Sequence, residues 1–239
     1  MKAIERFIFV SFRIGGFQAN YQNSVYYRRS REVLSGSVSL ASVAEEIIST
    51  VNTNESSAKI GFLSKISRLY DNGQGFYGWN SLRYFLYEYE YDIGEMNRLH
   101  KLNWSIFTTA EKDKVTIEHI LPQTPSKQYW KDTFAEYSDE TIKFLSGSLG
   151  NLLPLDKSIN SSLQNDSFED KKYPKTAGQR GYTHGSHSEI EVAQYEDWTA
   201  EAILDRGKKL LTFMEKRWGI TFSCEQKDEL LLNRLLIVN

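Results

Sequence analysis

The chain has 239 residues, enough for one large domain or two small ones with real cores. Its 29 Lys+Arg against 31 Asp+Glu leave a formal net charge of -2, which excludes a surface coated in positive charge for nonspecific nucleic-acid binding but leaves room for a local basic groove. The single cysteine, Cys224, excludes an intrachain disulfide and a CxxC zinc pair, and points to a reducing cytosol.

The segment from Met1 to Val10 is partly apolar, but Glu5, Arg6 and then Arg13 interrupt it and no small-residue cleavage site follows, so a signal peptide is not expected. No stretch approaches the ~18 uncharged residues that a membrane span needs. The first hundred residues read as helical, with turns expected at Ser35-Gly36-Ser37 and Asn52-Thr53-Asn54. Ile60, Leu63, Ile66, Leu69 and Tyr70 form one apolar face. Leu82, Phe85, Leu86 and Tyr89 form another, and Asp71 to Gly75 separates the two helices. Tyr26-Tyr27-Arg28-Arg29 and Arg31 read as a basic helix surface.

From Val115 the character changes. Val115, Ile117 and Ile120 suit a strand that Pro122 ends. The connection that follows, holding Trp130, Phe134 and Phe144, is too long for a plain loop and is expected to carry a short helix or a function. Leu152 to Leu155 suits a second strand, and a helix is expected from near Lys157 to Lys172, stopped by Tyr173-Pro174. Gly178 to His187 reads as a connector, with His184 and His187 as exposed loop histidines lacking a third metal ligand. Ser188 with Glu191 suits a capping box, and Thr199 caps a longer helix whose apolar face runs from Ala200 to Trp218, with Gly219 at C′. The tail, Leu230 to Val238, is apolar and expected to pack back as a helix or edge strand. No phosphate-binding loop and no GxGxxG unit is present.

Two motifs carry chemistry. The first is Thr116-Ile117-Glu118-His119-Ile120-Leu121-Pro122-Gln123; the second is Leu149-Gly150-Asn151-Leu152-Leu153-Pro154-Leu155, with Asn160 nine positions after Asn151. A neutral imidazole at His119 can take a proton from water as it attacks phosphorus. Beside a phosphate, the carboxylate of Glu118 needs a cation between them, which points to Mg²⁺ or Mn²⁺. Asn160 can add a neutral oxygen to that ion. The side-chain amide of Asn151 suits a scaffold role, bridging backbone across the long loop to fix His119. Lys171, Lys172, Lys175 and Arg180 form a basic run suited to positioning phosphates.

These residues resemble the HNH (His-Me finger, ββα-metal) nucleases, in which an acid and a His end one strand, an Asn begins the next, and an Asn or His on the following helix completes the metal site. Glu118 stands where most such enzymes have Asp, and Asn160 where many have a second His, so Asn160 or Asp156 completes the set. The whole ordered series is similar to the C-terminal HNH domain of GmrSD-type (type IV) restriction endonucleases: Trp130 in the long loop, Phe168 and Lys171 on the helix, Trp198-Thr199 through Ile203 and Arg206, a final Trp218, and Phe76-Tyr77-Gly78-Trp79 with Arg83-Tyr84 and Glu88-Tyr89-Glu90 earlier.

The resemblance implies a cytoplasmic, metal-dependent DNA endonuclease of a restriction or phage-defence system. It also implies a ParB-like nucleotide-dependent partner, or such a domain on a longer protein. The alternative is a catalytically inactive helical module that binds DNA or a partner. The fold expected is mainly α with a small α+β insert, a helical domain carrying a ββα-metal (HNH) core. The expected regions are a helical one at 1–110, the nuclease core at 111–178 and a C-terminal helical one at 179–239, packed as one compact unit. Target sequence, base modification, DNA against RNA and oligomeric state are not legible from these residues.

Overall fold

A computed structural model describes residues 1–96, 115–176 and 178–231. It is mostly helical, with one two-stranded antiparallel sheet among the described residues. No helix among them is long and apolar enough to cross a membrane. The chain divides into two compact units, one of residues 1–65 with 215–222 and one of residues 66–214 with 223–239. These differ from the expected regions. A two-stranded sheet cannot bury its own apolar faces, and the helical residues 66–96 and 200–214 fall in the same unit as the hairpin.

The first unit begins with helix α1 (Lys2–Phe7), a π-helical segment (Ile8–Ile14) and helix α2 (Asn23–Leu34), and takes in most of the long helix α3 (Leu40–Asp71). The turn expected at Asn52-Thr53-Asn54 is not there. Those residues are helical, and Thr53 and Asn54 direct side-chain hydrogen bonds back to the carbonyls of Ser49 and Thr50, which satisfies them without a break. Residues 215–222 are clamped by α1 and the π-helical segment after it. Phe9 stacks on Trp218 with ring centroids 3.6 Å apart, and Glu5 accepts from the Trp218 indole at 2.7 Å. Arg6 donates to the carbonyls of Trp218 and Gly219.

In the second unit, Gly73 and Gly75 adopt positive φ after α3, and a 3₁₀ turn (Gly75–Gly78) leads to helix α4 (Leu82–Met96). Leu82, Phe85, Leu86 and Tyr89 are all buried, as their spacing requires, whereas Ile60 on the earlier face is exposed. Strand β1 (Val115–His119) follows, and the long connection does carry helices, α5 (Gln128–Thr133) and α6 (Asp139–Ser146). A 3₁₀ turn (Leu149–Asn151) opens strand β2 (Leu152–Asp156), which pairs antiparallel with β1 so that His119 faces Leu152 and Val115 faces Asp156.

Helix α7 (Lys157–Leu163) comes directly after β2. The single helix expected up to Lys172 is instead two: Gln164 has φ 32°, and Ser167 caps a separate short helix α8 (Phe168–Lys172), accepting from Asp170 N. The capping box lies two residues earlier than expected, at Ser186 and Glu189 of helix α9 (His187–Ala193). His187 is consequently a buried first-turn residue rather than an exposed loop histidine, while His184 is exposed. Helix α10 (Ala200–Trp218) starts at Thr199, whose hydroxyl accepts from Ala202 N, and ends at Gly219 with φ 59°. Helix α11 (Cys224–Leu231) ends the described chain, so the tail expected at 230–238 lies almost wholly outside it. Ile120, Leu121, Trp130, Leu153, Leu155, Phe168, Trp198 and Ile203 share one core around the hairpin.

Candidate active site

Position is set first by the strand. Successive side chains of β1 alternate faces, so Thr116 and Glu118 share one side and His119 takes the other. The ladder runs one step past the strand, with Ile120 N donating to Asn151 O at 3.1 Å, before Pro122 ends it.

Asn151 is fully buried and its amide makes four hydrogen bonds. Oδ1 accepts from Leu121 N at 2.7 Å and from the Trp198 indole at 2.9 Å; Nδ2 donates to the carbonyls of Leu121 and Ser146, both at 2.9 Å. Every donor and acceptor of the amide is used, and the main chain two residues after His119 is thereby tied to the end of α6 and to Trp198, two residues before α10. Beside it, Arg206 of α10, also fully buried, donates to the carbonyls of Gly150 (2.6 Å) and Leu152 (2.9 Å).

The imidazole of His119 lies against the Tyr77 ring, centroids 4.7 Å apart. Its Nε2 is enclosed and has no hydrogen-bond partner among the described residues. Burial, and secondarily the positive charge of Lys171, lower its pKa to about 4, so the ring is neutral at pH 7.

The carboxylate of Glu118 is buried, and its Oε1 accepts from Lys171 Nζ at 2.5 Å and from the Tyr182 hydroxyl at 3.3 Å. Lys171 is fully buried and also donates to the carbonyls of Ile120 (3.0 Å) and His119 (3.4 Å). Burial is the largest influence on both partners, raising the carboxyl and lowering the ammonium, and each charge draws the other back toward ionisation.

The remaining expected residues disperse. Asn160 donates from Nδ2 to Thr116 Oγ1 at 2.8 Å, three residues back along the strand from His119. Asp156 sits at the far end of the ladder, opposite Val115, about 13 Å along the strand from the Leu152–His119 end. The basic run is corrected in two of its four members. Lys171 is interior, and Lys172 is also buried, donating to the carbonyl of Glu196 and pairing with Glu169, both at 3.0 Å. Both follow Phe168 closely on a helix of one and a half turns, which draws them into the core with it. Neither can reach a phosphate from there. Lys175 is exposed and pairs with Asp170, and Arg180 is also exposed, 3.5 Å from Glu189.

A hard divalent ion needs several oxygens aimed at one point. Among the described residues no three His, Cys, Asp or Glu side chains are grouped to hold a metal. The carboxylate of Glu118 already has a cation on it, and the amide of Asn160 is turned to Thr116. The expected pair, Glu118 with Asn160 or Asp156, therefore does not fit the ion as these residues are placed. The expectation missed the contact of Tyr77 with His119, the place of Tyr182, and the partnership of Lys171 with Glu118. One signal did exist: Lys171 is three residues after Phe168, on the apolar side of its helix.

Neither a curated protein nor a solved structure matches the chain. The family model described as GmrSD restriction endonucleases, C-terminal domain, matches residues 64–213, nearly the main segment of the second unit. With well over half of its length so matched, the chain belongs to the family of GmrSD restriction endonuclease C-terminal domains.

Proposed function

We propose that the second unit is a DNA endonuclease of a restriction, phage-defence system, and that His119 is the general base that activates water for attack on a phosphodiester. The single observation that carries this reading is the imidazole at the end of β1, neutral at pH 7, on a main chain that Lys171 holds at His119 and Ile120 and Asn151 holds at Leu121. Nδ1, which is not among the enclosed unpaired atoms, is the nitrogen left to take the proton. A neutral ring at neutral pH has a lone pair free to accept a proton, although its burial makes it a weaker base than an ordinary imidazole. Family membership supports the substrate class, and the ParB-like partner and the cytoplasmic setting are proposed on the resemblance alone.

The test is plasmid nicking by the full chain in Mg²⁺, Mn²⁺ or EDTA. His119→Ala is expected to slow nicking by about a hundredfold or more while the protein stays folded; nicking at the wild-type rate would remove His119 from the reaction. A second expectation concerns acidity. A base whose folded pKa is lowered stays unprotonated, and active, until the pH falls to that lowered value. The acid limb of kcat/KM therefore belongs near pH 4, and a limb near the ordinary histidine value of about 6.5 would mean that the ring is not enclosed as described.

A second reading, a module that binds DNA or a partner without cutting, is favoured by one observation: Glu118 and Asn160 do not assemble a metal site. Salt-sensitive binding with no nicking in any metal would decide for it.

A further inference from the structure

The buried ammonium of Lys171 has a set of partners that its expected role of positioning phosphates does not explain. An ammonium offers three donors and no acceptor. Here three acceptors surround it: Oε1 of Glu118 and the main-chain carbonyls of His119 and Ile120. The Trp130 ring centroid lies 6.0 Å away, and the Tyr182 hydroxyl donates to the same carboxylate oxygen. Two of the three acceptors are the main chain of His119 itself and of the next residue, the point where the strand turns toward Pro122. Charge-assisted hydrogen bonds in an enclosed setting hold geometry more firmly than neutral ones.

We propose that Glu118 and Lys171 are a positioning pair for His119. The ammonium of Lys171 occupies the place at Glu118 that a metal ion would take, and clamps the main chain that carries the base. This rests on the reading of His119 as general base, and it removes Glu118 from the metal ligands and Lys171 from the phosphate contacts. Lys172 makes a useful contrast, since it is also buried, though less completely, and bonds to the carbonyls of Tyr195 and Glu196, away from the histidine.

The two roles of Glu118 separate in a metal titration. A ligand sets how much Mg²⁺ is needed, whereas a positioning residue sets the rate at saturating Mg²⁺. Nicking by the full chain would be followed over a range of Mg²⁺ for the wild type, Glu118→Gln, Lys171→Met and Lys172→Met. Glu118→Gln and Lys171→Met are each expected to cut about ten- to a hundredfold more slowly at saturation, with the half-maximal Mg²⁺ within about threefold of wild type. Full rate recovered at high Mg²⁺, with the half-maximal concentration raised about tenfold or more, would make Glu118 a ligand and overturn the proposal.

An NMR titration of the His119 ring gives a readout that needs no cleavage. Lys171→Met removes a positive charge from beside the imidazole, so the midpoint should rise; Glu118→Gln removes the charge that offsets Lys171, so it should fall; Lys172→Met should leave it in place. A midpoint unmoved by both Lys171→Met and Glu118→Gln overturns the proposal even if the wild type never nicks. Should Lys171→Met fail to fold, the isosteric Glu118→Gln carries both measurements. Wild-type nicking by His119→Ala would instead sink the general-base reading, with the ring titration still deciding whether Lys171 and Glu118 lie beside the histidine as charges.

Discussion

Gly150→Ala is expected to destabilise the protein by about 3 kcal/mol or more, although it adds only one methyl group. A Cβ at this position would overlap the main-chain carbonyl oxygen of Ile203 and stand 2.7 Å from the main-chain nitrogen of Gly207. Both neighbours are backbone of α10, so no side-chain rotation can relieve the clash; the loop and the helix must part. Parting them strains the hydrogen bonds from Arg206 to the carbonyls of Gly150 and Leu152, and the bond from the Trp198 indole to Asn151. The loss would be read from urea or thermal unfolding. A midpoint within about 2 °C of wild type would mean that α10 does not approach the loop as described. Gly36→Ala is a suitable control, because no atom lies within 4 Å of a Cβ there, although its positive φ carries a strain of its own.

That close approach explains what could be read from the residues and what could not. The hairpin was legible because β-branched Val115, Ile117 and Ile120 run into Pro122, and a second apolar run opens after a Gly-Asn turn. The backbone bridge made by Asn151 was legible for a related reason: an amide at the mouth of a strand, facing a long loop, has unpaired main-chain groups to serve. The helical faces of α4 and α10 followed from their periodicity. What failed were inferences that needed a third dimension. Glu118, Asn160 and Asp156 have metal-ligand chemistry and plausible spacing, but strand alternation and ladder register decide where they point, and these put Asp156 at the wrong end and a lysine on the carboxylate of Glu118. Charge misled at Lys171 and Lys172, because a basic run ordinarily lies in solvent. Here their helix is held by the buried Phe168, so the same turn that buries the ring takes the lysines in with it. Arg206 carried a fainter warning: three residues after Ile203, it lies on the apolar stripe of α10, where a guanidinium is tolerated only if carbonyls receive it.

Asn151→Asp should be worse than Asn151→Ala at neutral pH and better than it in acid. Alanine removes four buried hydrogen bonds and strands two N–H groups, from Leu121 and Trp198, and two carbonyls, of Leu121 and Ser146. At about 1–3 kcal/mol for each buried group left unsatisfied, with some relief from relaxation, a loss of about 3–5 kcal/mol is expected. Aspartate keeps the acceptor for Leu121 and Trp198 but turns its second oxygen, charged and buried, toward two carbonyl oxygens. Removing one favourable partner while adding an uncompensated charge brings the loss to the upper end of that range or beyond. The sign of the pH effect follows from which state holds the proton. An aspartate so placed has its folded pKa raised above the unfolded value of about 3.9, so the folded state binds more protons than the unfolded one, and stability falls as the pH rises between those two values. Below about 3.9 the carboxyl is protonated in both states and its hydroxyl can serve one of the two carbonyls, which the methyl of alanine cannot. Unfolding of both variants against the wild type at pH 4 and pH 7 would show the order reversing, provided that each measurement is referred to the wild type at the same pH, since His119 also resists protonation in acid. An order unchanged between the two pH values would mean that the amide of Asn151 does not face the carbonyls of Leu121 and Ser146, and the scaffold that holds the main chain beside His119 would have to be sought elsewhere.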